Sequence, residues 1–190
     1  TVAQTQGVEV WEACRVDAAI IEQGQLMGLA TERGTVRAYH ILDASGQRQW
    51  LARQLGIPTK RSSPNKRSSP KLMAWLETWQ MRDHFAGPGW FLLGDAAASP
   101  APATSCGLPR ALTYRLPYRL PHRLPHRLQA AMSGLQAARV ISDCEQGKIS
   151  EALAAQRYSQ WLQTWFIHSS VTQYASVEQT WLGIAWNRYR

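Results

Sequence analysis

The chain has 190 residues, a formal net charge of +8 and 45% hydrophobic residues. That length is enough for one domain with a core, and without a long apolar run or a signal peptide we expect no membrane partner. The three cysteines are far apart and odd in number, which predicts a reducing, cytoplasmic compartment, no disulfide framework and no metal site.

The positive charge is concentrated in two short segments that contain no acidic residue. Their nine basic residues are Lys60, Arg61, Lys66, Arg67, Lys71, Arg115, Arg119, Arg123 and Arg127, and without them the net charge of +8 falls to −1. A strongly basic chain favours a nucleic-acid or membrane partner, but most of this chain is nearly neutral. Nucleic acid is therefore the less favoured partner. A non-enzymatic remnant, or a basic nucleic-acid-binding module that uses these segments, is kept as the alternative function.

Residues 3–42 have the pattern of short strands separated by turns. Apolar and β-branched residues predict strands at 7–11, 14–21, 26–30 and 36–42. Glycines punctuate this region, and Arg33-Gly34 predicts a turn. Strand, turn and strand at this spacing predict a small meander that joins a larger sheet.

An apolar strand ends at Asp43, and a loop of small residues and a helix follow it. Ser45 and Gly46 belong to the loop. Residues 50–55 have helical spacing, and Gly-Ile-Pro at 56–58 stops the helix. Open α/β sheets bind ligands at the carboxyl ends of their strands, so Asp43, Ser45 and Gly46 are candidate binding residues.

The same arrangement occurs again after residue 89. Residues 90–93 are a continuous apolar run, which predicts a strand buried on both faces, and the run ends at Gly94 and Asp95. Small residues follow, Ala96 among them, and a helix is predicted to open at Gly107, where free N–H groups attract anions. The segment predicts a binding site for a sugar-phosphate ligand.

Both arrangements resemble motifs of FAD-dependent oxidoreductases. Residues 87–98, Gly-Pro-Gly-Trp-Phe-Leu-Leu-Gly-Asp-Ala-Ala-Ala, resemble the second flavin-binding motif of aromatic hydroxylases, geranylgeranyl reductases and flavin-dependent halogenases. Asp-Ala-Ser-Gly at 43–46, with Arg53 in the helix after it, resembles the middle motif of the same family. The likeness is greatest to halogenase-like flavoproteins, including those that mature quinone-cofactor oxidases. It covers residues 3–57, 85–112 and 132–170.

The resemblance implies an FAD-dependent oxidoreductase of the monooxygenase or halogenase kind, with NAD(P)H as the reductant. In that family the aspartate of the second motif hydrogen-bonds the ribityl or ribose hydroxyls of the flavin. By position, the FAD contacts are then Gly94, Asp95, Ala96 and Gly107, with Asp43, Ser45 and Gly46 secondary. The resemblance assigns no catalytic acid, base or nucleophile here, and it leaves the substrate open between a small molecule and a peptide.

The first motif of the family, G-x-G-x-x-G after a strand, does not occur among the 13 glycines of the chain. Ala101 stands where the family usually has an aspartate, and the sequence begins with Thr1 instead of Met. We therefore expect a truncated form with impaired cofactor binding. The expected fold class is α/β: a partial FAD/NAD(P)-binding Rossmann-like domain with C-terminal α-helices, without the N-terminal dinucleotide motif and most of the substrate sheet.

Two low-complexity repeats interrupt the chain. Lys-Arg-Ser-Ser-Pro occurs twice within 58–72 and predicts a disordered linker. Arg-Leu-Pro recurs within 113–131, and because proline breaks a regular helix this segment predicts an irregular insert. We divide the chain into a partial FAD-binding domain at 1–58, a linker and substrate-domain remnant at 59–84, the Gly-Asp motif and its helix at 85–146, and C-terminal helices at 147–190.

The remainder of the chain has helical patterns. A helix is predicted over 130–143, with Gly147 ending it, and Ser150 is a good N-cap for the next one. An apolar stripe follows at helical spacing and predicts core packing instead of a cofactor site. Its members are Tyr158, Trp161, Leu162, Trp165 and Phe166. A last helix over 174–185 is expected to pack on this stripe.

Overall fold

A computed structural model of the chain describes residues 2–61, 80–99 and 124–165. The strands are β1 (Val16–Glu22), β2 (Gln25–Thr31), β3 (Gly34–Arg37), β4 (Ile41–Asp43), β5 (Thr59–Arg61), β6 (Gln80–Arg82), β7 (Ala86–Gly87), β8 (Trp90–Leu92) and β9 (Ala98–Ser99). The α-helices are α1 (Val2–Thr5), α2 (Trp50–Gln54), α3 (Leu124–Glu145) and α4 (residues 151–165), and 3-10 helices cover Gly46–Arg48 and Gly94–Ala96. The fold is therefore a mixture of helices and sheets.

The first sheet is the antiparallel meander β1-β2-β3 that the turn pattern predicts. The strand predicted at 7–11 is wrong, because residues 8–11 are irregular and the short helix α1 precedes them. Val8 and Trp11 remain exposed. No described strand pairs with this segment, so its apolar alternation gains neither ladder hydrogen bonds nor a buried face.

The central sheet has the strand order β4-β8-β7 and contains the parallel pair β4 and β8. The strand predicted over 36–42 is in fact two strands, since β3 belongs to the meander and β4 to this sheet. The strand predicted at 90–93 is present as β8. Phe91 is 2% exposed and Leu92 is 0% exposed, as expected of a strand buried on both faces.

The third sheet has the order β5-β6-β9, and both of its strand pairs are antiparallel. It corrects the prediction that residues 58–72 form a linker from their beginning, because 59–61 are strand β5. Residues 80–82, assigned from sequence to a substrate-domain remnant, are strand β6. The first copy of Lys-Arg-Ser-Ser-Pro begins within β5, at Lys60, and the rest of the repeat, residues 62–70, lies outside the described residues.

Helix α3 begins at Leu124 instead of residue 130. Pro125 is the second helical residue, and a proline in the first turn removes only an N–H that has no partner within the helix. The prediction of an irregular insert is therefore wrong for 124–131, while 113–123 lie outside the described residues. The predicted stop is confirmed: the N–H of Gly147 donates to Cys144 O at 2.9 Å, and its φ is 68°.

Helix α4 follows Ser150, whose Oγ accepts a hydrogen bond from the N–H of Leu153 at 3.3 Å. The predicted apolar stripe is confirmed for its described members, with Tyr158 and Leu162 at 0% exposure. Phe166 and the last predicted helix lie outside the described residues. Helices α3 and α4 and the central sheet share one core. Its largest fully buried side chains include Tyr158, Phe91, Leu51, Leu92 and Leu162.

Candidate functional site

Two bends lie side by side at the carboxyl edge of the central sheet. The first bend is residues 43–49 and the second is 93–97. Strands β4 and β8 run parallel with Asp43 opposite Leu92, so both segments leave the sheet at the same edge. The 3-10 helices within the two bends pack against each other. The structure thus brings together the two segments that the sequence analysis singled out.

The first bend is shaped by its own side chains. Asp43 is 7% exposed, and its carboxylate accepts hydrogen bonds from the N–H of Ser45 at 2.7 Å and of Leu51 at 2.9 Å. The Ser45 hydroxyl accepts one from the N–H of Trp50 at 2.9 Å. The bonds from Trp50 and Leu51 satisfy backbone N–H groups at the start of α2 that the helix itself leaves open, and the bond from Ser45 closes the loop before it. Asp43 and Ser45 therefore position the bend.

The second bend is held by α3. The N–H of Gly94 donates to Ser133 Oγ at 2.9 Å. A Cβ on Gly94 would lie 2.9 Å from the Cβ of Ala130, and the backbone φ of Gly94 is 53°. Only glycine allows both this φ and this approach of a helix.

A buried polar pair connects the two bends to the third sheet. Gln49 is 4% exposed and Arg82 is 5% exposed. The Gln49 side-chain oxygen accepts a hydrogen bond from Arg82 Nη2 at 2.6 Å, and Arg82 Nη1 donates to Ile57 O at 2.5 Å. The Gln49 side-chain nitrogen lies 3.4 Å from Asp95 O, which makes a long contact with the second bend. Strand β6 is thus tied to both bends.

The side chain of Gln129, on α3, is buried against the second bend. It is 1% exposed, and its Nε2 donates to Ala98 O at 2.8 Å and lies 3.5 Å from Gly94 O. Its Oε1 is a buried atom that has no hydrogen-bond partner within the described part of the chain. Buried polar atoms without a partner are uncommon in folded proteins.

The predicted contact residues occupy different environments. Asp95 is partly exposed at the second bend. Ala96 is 0% exposed, so its side chain belongs to the core. Gly46 has no atom within 4 Å of the position that a Cβ would take, so this part of the first bend borders open space. Gly107 lies outside the described residues.

Several residues around the bends were not found from sequence. Gln49 and Arg82 carry no local pattern that predicts their burial. Gln129 and Ser133 do carry one, because they precede Ala137 at steps of four residues on one face of α3. Ala137 is 0% exposed, so polar residues on the same face are expected to be buried and bonded. That spacing could have identified both.

Tyr158, on α4, supports the strand that leads into the second bend. Its hydroxyl donates to Leu92 O at 2.6 Å. Burial raises the pKa of the Tyr158 phenol above its ordinary value of 10.0. The folded state therefore favours the neutral, protonated form of this phenol.

Tyr158→Phe is expected to lower the free energy of unfolding by about 1–2 kcal/mol at neutral pH, because the carbonyl of Leu92 loses a buried donor. The raised pKa gives the sign of the pH dependence. The contribution of Tyr158 is complete below about pH 10 and is lost as the pH rises further, because the unfolded state releases the proton first. Urea unfolding at several alkaline pH values should show a flatter pH dependence in the variant. An unchanged slope above pH 10 would contradict this.

Neither a membrane-spanning helix nor a metal-binding cluster is present in the described ranges, residues 2–61, 80–99 and 124–165. No helix there is long and apolar enough to cross a lipid bilayer. No three His, Cys, Asp or Glu side chains there are grouped so that they could hold a metal ion.

Comparison with known proteins gives structural matches alone. No family model matches the chain, and no curated protein sequence matches it. The fold is similar to that of the flavin-dependent brominase Bmp2, with a TM-score of 0.65, 17% sequence identity and coverage of 96% of this chain and 63% of the brominase. Xcc4156, a flavin-dependent halogenase from Xanthomonas campestris, matches with a TM-score of 0.49 and 9% identity over 79% of this chain and 40% of that one.

The fold is therefore of the flavin-dependent halogenase class, as the resemblance in the sequence implies. At 17% identity the match to the brominase shows the fold alone. The chain spans 63% of the brominase's length.

Proposed function

We propose that this chain is a halogenase-like, FAD-dependent oxidoreductase that holds its cofactor at the two bends. The observation that carries the proposal is the parallel pairing of β4 and β8, which puts both bends at one carboxyl edge. Ligands of α/β sheets bind at such edges. The halogenase-like fold supports the same cofactor.

The residues at this edge suit a flavin nucleotide in part. Asp95 is a partly exposed carboxylate, which can accept hydrogen bonds from sugar or ribityl hydroxyls. Gly46 borders open space where a larger residue would project. Asp43 and Ser45 act indirectly, since their side chains are bonded to the backbone of the first bend and α2.

A bound flavin supplies the redox chemistry with oxygen or with an organic substrate, and NAD(P)H is the proposed reductant. The chain's own residues bind and orient: Asp95 contacts the cofactor, and Gly94 and Ser133 fix the backbone that carries Asp95. Because the sequence contains no G-x-G-x-x-G, we expect weaker FAD binding than in a protein with both motifs. The substrate class, small molecule or peptide, and any catalytic residue are not assigned.

Asp95→Ala tests the proposal. Fluorescence titration of FAD into the purified protein is expected to show saturable quenching, and the variant is expected to bind about tenfold more weakly or worse, because it lacks a charged hydrogen-bond acceptor. Asp17→Ala is the matched control. It removes an exposed carboxylate of β1, paired with Arg15 at 2.6 Å, and is expected to leave the FAD dissociation constant unchanged.

Absence of saturable FAD binding by the unmodified protein would overturn the proposed function. Equal weakening by Asp95→Ala and Asp17→Ala would overturn the assignment of the bends as the site. The alternative, a nucleic-acid-binding module, depends on repeats that lie mostly outside the described residues. It remains a prediction from composition.

A further inference from the structure

Gln49 connects the first bend to α2 in a backbone conformation that side chains rarely adopt. Its φ is 52° and its ψ is 45°, in the left-handed region, although it is not a glycine. Such a conformation costs free energy for any residue with a Cβ and persists only where the surroundings hold it. The backbone N–H donates to Gly46 O at 3.0 Å, and the carbonyl accepts a hydrogen bond from the N–H of Arg53 at 3.1 Å. This conformation fixes the direction in which the Gln49 side chain leaves the bend.

The side-chain amide of Gln49 uses its two ends for different partners. Its oxygen accepts a hydrogen bond from Arg82 Nη2 at 2.6 Å, and its nitrogen lies 3.4 Å from Asp95 O. A guanidinium only donates and a backbone carbonyl only accepts, so the amide fits in one orientation alone. An ionised glutamate could not donate to the carbonyl, and a lysine could not accept from the guanidinium. The position therefore requires a group that both donates and accepts.

These contacts join the first bend to the second by two routes. One route is direct, from the amide nitrogen of Gln49 to the carbonyl of Asp95. The other passes through Arg82, whose backbone N–H donates to Ala97 O at 3.0 Å while its guanidinium donates to Gln49. Gln49 and Arg82 are both buried, so water competes little for these bonds. Both routes start at one side chain, and this side chain therefore controls the separation of the two bends.

We propose that Gln49 is a positioning residue of the cofactor site, whose side chain holds Asp95 at the distance and angle from the first bend at which Asp95 contacts the cofactor. The inference rests on the proposed function. Gln49 is 4% exposed and acts without touching the cofactor itself. A ligand that contacts both bends binds more tightly when their separation is already fixed, because binding then has less to order.

Gln49→Glu tests the direct route. The carboxylate keeps an acceptor for Arg82 but has no donor, so an oxygen replaces the amide nitrogen opposite Asp95 O and repels it. FAD affinity, measured by fluorescence titration, is expected to fall about three- to tenfold, up to the loss expected of Asp95→Ala. The thermal midpoint of the cofactor-free protein is expected to change little, because the bond to Arg82 is retained as an ion pair.

Gln146→Glu is the matched control. Gln146 is exposed, and its side-chain nitrogen donates to Ser142 Oγ at 3.0 Å, outside both bends. The same substitution there removes an amide donor and adds one negative charge to the chain. FAD affinity is expected to stay unchanged, which separates the positioning effect from the effect of the added charge.

A double-mutant cycle tests whether Gln49 acts through Asp95. In an Asp95→Ala background the carboxylate that Gln49 positions is absent, so Gln49→Glu is expected to weaken FAD binding by less than about twofold further. Two independent effects would multiply instead. Gln49→Met is close in length and adds no buried charge, and it provides the same cycle if the glutamate variant does not fold. Its affinity is corrected for the folded fraction, measured by circular dichroism.

The outcomes separate this inference from the proposed function. Unchanged FAD affinity in the Gln49 variant, or losses that multiply in the cycle, overturns the positioning role and leaves the proposed function standing. A loss of affinity that follows the loss of stability across the variants overturns it too, because Gln49 would then support only the fold. Failure of the unmodified protein to bind FAD overturns both.

Discussion

Replacing Gly94 with alanine is expected to lower the free energy of unfolding by about 2–4 kcal/mol, the largest single effect that we predict at the candidate site. Two costs add. The backbone φ of 53° is in the left-handed region, which disfavours any residue with a Cβ. The new Cβ would also lie 2.9 Å from the Cβ and 3.1 Å from the Cα of Ala130, so α3 must move. Urea unfolding of the cofactor-free protein measures the change.

Gly134→Ala is the control for this substitution. Gly134 is on α3, the helix that carries Ala130, and a Cβ on Gly134 would have no neighbouring atom within 4 Å. Alanine in a helix interior is favoured over glycine by about 1 kcal/mol, so the control is expected to be neutral or stabilising. A Gly94→Ala variant as stable as the unmodified protein would show that α3 does not pack against the second bend.

Asp43→Ala is expected to lower the free energy of unfolding by about 2–3 kcal/mol, because it leaves the N–H groups of Ser45 and Leu51 without their acceptor. Leu51 is 0% exposed, so water cannot replace the carboxylate there. The first bend should loosen, and FAD affinity should fall indirectly. Thermal and urea unfolding report the stability, and amide hydrogen exchange at Leu51 reports the local opening.

Ser45→Ala is the control for Asp43→Ala, because it removes a weaker support of the same bend. It removes the acceptor of one N–H, that of Trp50, and is expected to cost about 1 kcal/mol, as for the loss of a typical helix cap. If Ser45→Ala were as damaging as Asp43→Ala, the carboxylate would not be the main support of the first bend.

Local patterns predicted the elements that stand next to the site. Each of these predictions used only a few neighbouring residues. The apolar run of 90–93 forms β8, small residues follow it, and Asp43 is at the end of β4, as predicted. The helix boundary at 124 was missed because a proline is a breaker only beyond the first turn. The strand predicted at 7–11 failed because no described strand lies beside it to complete a ladder.

The side-chain hydrogen bonds that hold the two bends in place could not be predicted in the same way, because they join residues that are far apart in the sequence. Arg82 reaches Gln49 across 33 residues, and Gln129 reaches Ala98 across 31. A side chain gives no local sign of which distant carbonyl it will bond. Sequence analysis identified the residues of the bends but not the contacts that hold them, such as the hydrogen bonds from the N–H groups of Ser45 and Leu51 to the Asp43 carboxylate.

The bond from Tyr158 to Leu92 spans 66 residues, which affects how the molecule is built on the ribosome. At about 5–20 residues per second, the tyrosine is made roughly 3–13 seconds after the strand that it supports. During that interval β8 lacks its cover from α4, and its apolar side chains are open to other chains. A nascent polypeptide stalled before residue 158 is therefore expected to aggregate or to recruit chaperones more readily than one stalled beyond α4.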